Sequence, residues 1–151
     1  MQDARPADTS GMSPRRTLAV LGCVVAAVLP ASAFGERSVG TGEQVAWVRR
    51  AASNFVTAEL AGNGAGVCGI LNAPLRATEH GRTCEQRWNA KLATLLREPG
   101  GRARLRSEQH AIGSAAVIVH GNVAALELAS PLTNGGPNRF VWSENCWMLD
   151  G

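Results

Sequence analysis

Few side chains in this sequence combine the type and spacing that proton chemistry requires. Glu127 sits among Ala125, Leu126 and Leu128, where a buried carboxylate would have a raised pKa and could act as a base. Strand alternation instead turns Glu127 to the face opposite Leu126 and Leu128, which predicts a solvent-exposed side chain. His110, with Glu108 nearby, is the histidine that could join Glu127 in a dyad; His80 lies beside Gly81 in a loop and His120 in a turn. Apart from Asp3 and Asp8, Asp150 is the sole aspartate, and there is no tyrosine. Serines and threonines are scattered without a nucleophile elbow or a base at usable spacing. The residues therefore specify no catalytic set. A pocket enzyme working through Glu127 or His110 stands as the alternative to a non-catalytic domain.

The remaining reactive or sticky groups are cysteines, arginines and aromatics. Cys68, Cys84 and Cys146 can pair in three ways; joining Cys68 to Cys84 would close a loop of 15 intervening residues, worth about 3 kcal/mol in the chain-entropy picture. Cys146 would then be a half-buried strand residue, a reactive thiol or one half of an intermolecular bridge. No C-x-x-C or clustered histidine accompanies any of them, so neither a metal site nor a cofactor is expected. Arg97, Arg102, Arg104 and Arg106 form the one dense basic run. With Glu98 and Glu108 interspersed, it reads as a solvated edge rather than a surface for anionic polymers or phospholipid head groups. Trp88, Phe140, Trp142 and Trp147 could line an apolar pocket, although filling a small core is the commoner use of such residues.

Positioning these groups falls to two kinds of element. Thr41 opens a helix with Gln44 in the capping-box position, and Val45, Val48, Ala52, Phe55, Val56 and Leu60 make its apolar face. Gly62-Asn63-Gly64 ends it. A short second helix is expected around 65–72, before Pro74. A third begins at Thr83, again with the capping partner Gln86, carries Cys84, Trp88, Leu92, Leu95 and Leu96, and stops at Pro99-Gly100-Gly101. Residues 102–112 fit a short helix or a leading strand. Ser114–Val119 and Val123–Ala129 then flank the hairpin signal His120-Gly121-Asn122. Arg139–Ser143 and Cys146–Asp150 flank Glu144-Asn145, where asparagine accepts the left-handed turn position. Asn134-Gly135-Gly136-Pro137 is a plain turn between the pairs. Helices followed by an antiparallel meander make an α+β domain.

Ahead of that domain lies a leader, residues 1–33, followed by a Gly-rich linker, residues 34–41; the domain itself occupies 42–151. Leu18 to Phe34 carry no charge, Arg15 and Arg16 precede them, and Ala31-Ser32-Ala33 closes the stretch. A positive start, an apolar run and an A-x-A site are the three parts of a secretory signal peptide, with Ala31 and Ala33 marking the cleavage site. The run is also just long enough for an uncleaved anchor, in which case the arginines hold the N-terminus inside and the domain faces out. Translation from Met12 instead of Met1 would give a more ordinary signal start. Arg15-Arg16 partly fits a twin-arginine signal, and Val20-Leu21-Gly22-Cys23 partly fits a lipobox whose apolar run continues past the cysteine. Every variant puts the domain outside the cytosol. The 151-residue chain is 45% apolar and 18% charged, with a net charge of +3: a folded domain, with too little positive charge to imply nucleic acid.

The helix-rich first half, a cysteine on each of two helices, the strand–His120-Gly121-Asn122–strand hairpin and the closing Trp147-Met148-Leu149-Asp150-Gly151 together resemble the small exported NTF2-like (cystatin-like superfamily) proteins common in actinobacteria. The resemblance spans about residues 41–151. It implies a cone-shaped domain, three helices packed on a curved four-stranded antiparallel sheet with an apolar pocket at the mouth. It also implies a Cys68–Cys84 disulfide. Enzymes of this family use aspartates, a tyrosine or a His–Asp pair in the cone, and a ketosteroid-isomerase-like mechanism needs acidic donors at the oxyanion, a count this chain does not meet. The implied role is therefore binding of a small apolar ligand or a cell-envelope protein. A structural module of the envelope, touching the membrane only through an uncleaved leader, is the other expectation. Cys146 and Asn145 depart from the family pattern.

Overall fold

A computed structural model describes residues 38–133 and 138–151. Five helices precede a sheet: α1 Gly42–Leu60, α2 Gly64–Ile70, α3 Ala73–Arg76, α4 Cys84–Leu95 and α5 Gly101–Ser114, then β1 Val117–His120, β2 Val123–Leu126, β3 Asn138–Ser143 and β4 Cys146–Leu149. The leader, its Ala31 and Ala33 site, Cys23 and the turn at 134–137 lie outside the described residues.

Local chemistry sets the starts of the two main helices. The Thr41 hydroxyl accepts from the Gln44 amide at 3.2 Å while Gln44 Oε1 accepts from the Thr41 amide at 3.0 Å. Thr83 and Gln86 repeat the exchange at the head of α4. Each reciprocal pair satisfies amides that the first helical turn would otherwise leave bare. The expected face of α1 is buried, with Val48, Ala52, Phe55 and Val56 at 0% exposure.

The helix count is five rather than the expected three. Residues 65–72 do not make one helix: Leu71 goes extended and bridges Leu149 in parallel, and Pro74 restarts the chain as α3, in a first turn that needs no proline N–H. The ambiguous stretch after Gly100 is the helix α5, which buries Leu105 and Ile112, half-buries Glu108 and leaves Arg102, Arg104 and Arg106 exposed. Gly100 precedes it at φ +80°, and a β-carbon on Gly101 would collide with the Leu95 carbonyl.

The four strands form an antiparallel meander in the order β1-β2-β3-β4. They are shorter than the apolar runs suggest. β2 stops at Leu126 because its partner on β3 begins at Asn138, and Glu127 keeps only a bond from its amide to the Ala116 carbonyl. Asn138 organises the departing loop: its Oδ1 accepts from the Leu132 amide at 2.6 Å, and its Nδ2 donates to the carbonyls of Leu126 and Ser130. The turn at Glu144 and Asn145 has φ of 53° and 62°, the left-handed pair of a tight hairpin.

Registers place Val117, Val119, Ala124, Leu126, Phe140, Trp142, Trp147 and Leu149 on one face, and α1 packs across it. The linker contributes as well: Val39 pairs with Ile118 on the β1 edge through two backbone bonds of 2.8 Å, as Leu71 does on the β4 edge. Both outer strands thus carry a bridging residue, which blunts them against foreign pairing. Cys68 on α2 and Cys84 on α4 form a disulfide with Cα atoms 6.1 Å apart. Arg49, 8% exposed on α1, donates from Nε and Nη2 to the Ala115 carbonyl and ties α1 to the end of α5.

Candidate functional site

Three tryptophans meet where the β3–β4 hairpin lies beside the start of α1. Trp142 and Trp147 are direct cross-strand partners, one register step from the Glu144-Asn145 turn, so the tightness of that hairpin fixes their spacing. Their rings stand 5.6 Å apart at 70°. Trp47, on the second turn of α1, brings its ring to 5.4 Å from Trp142, tilted by 33°. These separations are those of favourable aromatic pairs. Together with Glu43, Gln44, Gly121 and Asn122 they line a cleft of about 320 Å³.

The cleft has an apolar floor and a polar rim. Trp147 is buried at 5% exposure, whereas Trp142 is 38% exposed and presents its ring to the opening. None of the three indole N–H groups hydrogen-bonds to a described residue. Gln44 Oε1 is committed to the Thr41 amide, and the Glu43 carboxylate stands exposed at the edge. The Asn122 carbonyl accepts from the Trp142 backbone at 2.7 Å, fixing the hairpin against β3. Such a site can sandwich a flat apolar molecule and offer it hydrogen-bond donors from the walls.

A different cavity, about 240 Å³, opens towards the other end of α1. Its walls carry Glu59 from α1, Lys91 from α4, Arg104 and Glu108 from α5, and the segment Ser130-Pro131-Leu132. Glu59 is only 3% exposed. Burial pushes its carboxyl up to about 7, aided by Glu108 and opposed by Lys91 and Arg104. Burial also lowers Lys91, against the pull of Glu59, and raises Glu108, against Arg104. The Lys91 ammonium stands 4.1 Å from the centre of the Trp88 ring, a cation–π contact. Trp88 in turn meets Phe55 edge-on at 5.5 Å.

No family model, curated protein or solved structure matches this chain. The residues themselves carry the reading. Of the expected pocket residues, Trp142 and Trp147 line the cleft. Phe140 is fully buried in the core, and Trp88 borders a separate space beside Leu71, Leu75 and Arg87. Glu127 is exposed, as alternation predicts, and so is His110; neither lines the cleft or the charged cavity. Arg97, Arg102, Arg104 and Arg106 are exposed as expected of a solvated edge, but Arg104 also faces the charged cavity. Cys146 keeps its thiol, half-buried, with Sγ 3.5 Å from the Met148 sulfur.

Two of the cavity-lining residues that the sequence patterns do not single out nevertheless carry a signal there. Trp47 follows Gln44 by three positions and precedes Ala51 by four, a second stripe flanking the apolar face of α1. Glu59 follows Phe55 by four and Val56 by three, which places a carboxylate within the buried stripe itself.

Proposed function

We propose that the protein is an exported, non-catalytic domain that binds a small, flat, apolar molecule in the cleft of Trp47, Trp142 and Trp147. The observation that carries this reading is the three-indole cluster itself. A chain that buries Phe55, Phe140 and Leu149 completely gathers three of its four tryptophans around an open concavity, with their N–H donors uncommitted among the described residues. The cleft volume falls at the lower end of ligand pockets, roughly 300–1,000 Å³. Helices on one face of a four-stranded antiparallel meander agree with an NTF2-like cone, and the cleft would be its mouth. Export is supported by the leader, with its paired arginines, apolar run and Ala31-Ser32-Ala33 site, and by a disulfide of the kind that oxidising compartments sustain.

The test is a titration with the neutral dye N-phenyl-1-naphthylamine, read by dye enhancement and by quenching of indole emission. Saturable binding is expected, and Trp142→Ala should weaken it at least tenfold without loss of fold. No saturable signal, or equal affinity in the variant, rejects the cleft as the site. For export, the mature protein recovered outside the cells should begin at Phe34 and weigh two hydrogens less than its reduced sequence.

A further inference from the structure

The charged cavity is built differently from a surface ion cluster. Glu59, Lys91, Arg104 and Glu108 all face it, from three separate helices. Among the described residues, no two of the four form an ion pair with one another, and no hydrogen bond reaches the Glu59 carboxylate. Opposite charges left apart in a partly desolvated space are costly unless something completes them. Glu59, 3% exposed as a residue, accepts no hydrogen bond at its carboxylate from any described residue and has Lys91 and Arg104 only as more distant charges.

We propose that this cavity is a second binding site, independent of the tryptophan cleft, for a small zwitterion carrying one ammonium and one carboxylate, the chemistry of a free amino acid. The ligand's ammonium donates to Glu59 and Glu108, and its carboxylate accepts from Arg104 and Lys91. Asn138 supports the site by holding Ser130-Pro131-Leu132 in place as its outer wall, through bonds to the Leu132 amide and the Ser130 carbonyl. That segment brings no charge, so among the described residues the four helical groups are the ionisable walls of the cavity. The cavity volume exceeds that of a few waters, room enough for the charged part of an amino acid and a small side chain.

A simple anion gives the opposite pH behaviour, which makes the proposal decidable. An ammonium needs Glu59 ionised. Zwitterion binding should therefore release a proton from Glu59 and weaken by about tenfold between pH 8 and pH 6. A simple anion would be held by Lys91 and Arg104 and favour protonated Glu59, so its binding would strengthen as the pH falls.

The experiment is a titration of the oxidised protein followed by backbone amide shifts, using glycine, L-alanine and L-leucine as probes, with acetate and methylammonium as single-charge controls. At least one amino acid should bind tenfold or more tightly than either control, moving the amides of residues 104–108, Ser130 and Leu132 and leaving those of Trp142 and Trp147 still. Glu59→Gln should abolish the preference while the fold survives, since an amide tolerates burial better than a carboxylate; Lys91→Met should weaken binding more mildly. Acetate binding as well as the amino acids, tightening at low pH, would overturn the proposal in favour of an anion site. Silence from all five probes would overturn it outright. Neither result touches the cleft, whose test uses a different probe and a different variant.

Discussion

The two ends of α1 solve opposite problems with the same element. Near its start the helix holds Trp47 over a cross-strand indole pair; twelve residues on, about 18 Å along the axis, it holds Glu59 against a lysine, an arginine and a second carboxylate. The tryptophan end presents apolar surface to solvent, and its geometry comes from sheet register and a tight hairpin. The charged end withdraws Glu59 from solvent, and its geometry comes from helix packing, with α1, α4 and α5 each contributing. Under the two proposals, affinity at the first end would rest on apolar area and ring stacking and respond little to pH or salt. At the second it would rest on charge in a partly dry space and respond strongly to pH.

The largest effect expected is on the residue that separates the ends. Phe55 is 0% exposed and carries the edge-on contact to Trp88, which in turn backs Lys91. Phe55→Ala should cost about 3–5 kcal/mol, as for large aromatic deletions from cores, measured by urea denaturation. If the two ends are separate, the surviving native protein should keep its naphthylamine affinity within about twofold while amides near Lys91 and Glu108 shift. Equal disturbance of both sites would mean that α1 couples them and that the contrast is only one of composition.

Next in size is the pH dependence of stability contributed by Glu59. Its carboxyl is raised from 4.5 to about 7 in the folded chain, so the folded state prefers the proton. The contribution of the protonated form is complete below pH 4.5 and lost as the pH climbs through about 7. Glu59→Gln, neutral throughout, should therefore match the parent near pH 4 and exceed it at pH 8 by on the order of 3 kcal/mol. Thermal melts across that range check the sign. An advantage that is constant with pH would place the Glu59 carboxylate in contact with solvent and remove the main difference between the two ends.

The two ends were unequally legible in the sequence. Capping is local, so Thr41 with Gln44 and Thr83 with Gln86 marked the starts of α1 and α4 correctly, and the alternation around Glu127 gave its exposure. α5 was ambiguous because Leu105 and Ile112 supply only two buried points seven residues apart, too few to set a period. The break at Leu71 depends on a strand 78 residues further on. Trp142 and Trp147 were recognisable as aromatic strand residues, but their meeting with Trp47 depends on register and on how α1 crosses the sheet. Glu59 stood in the open, at core spacing from Phe55 and Val56. What the sequence did not contain was the identity of its neighbours, which arrive from 32, 45 and 49 positions away.

The smallest effect sharpens the tryptophan end rather than breaking it. Glu43 is exposed in the first turn of α1, at the rim of the cleft. There its charge favours the helix dipole by a few tenths of a kcal/mol and should also repel an anion approaching the indoles. At an exposed site and ordinary salt such repulsion is screened, about 0.5 kcal/mol at most. Glu43→Gln should therefore raise affinity for the anionic dye 1-anilinonaphthalene-8-sulfonate by about twofold and leave neutral N-phenyl-1-naphthylamine unchanged, the gain fading as salt is added. A gain shared by both dyes would mean that Glu43 blocks the cleft sterically. A change for neither would place the bound ring deeper, against Trp147, beyond the reach of the rim charge.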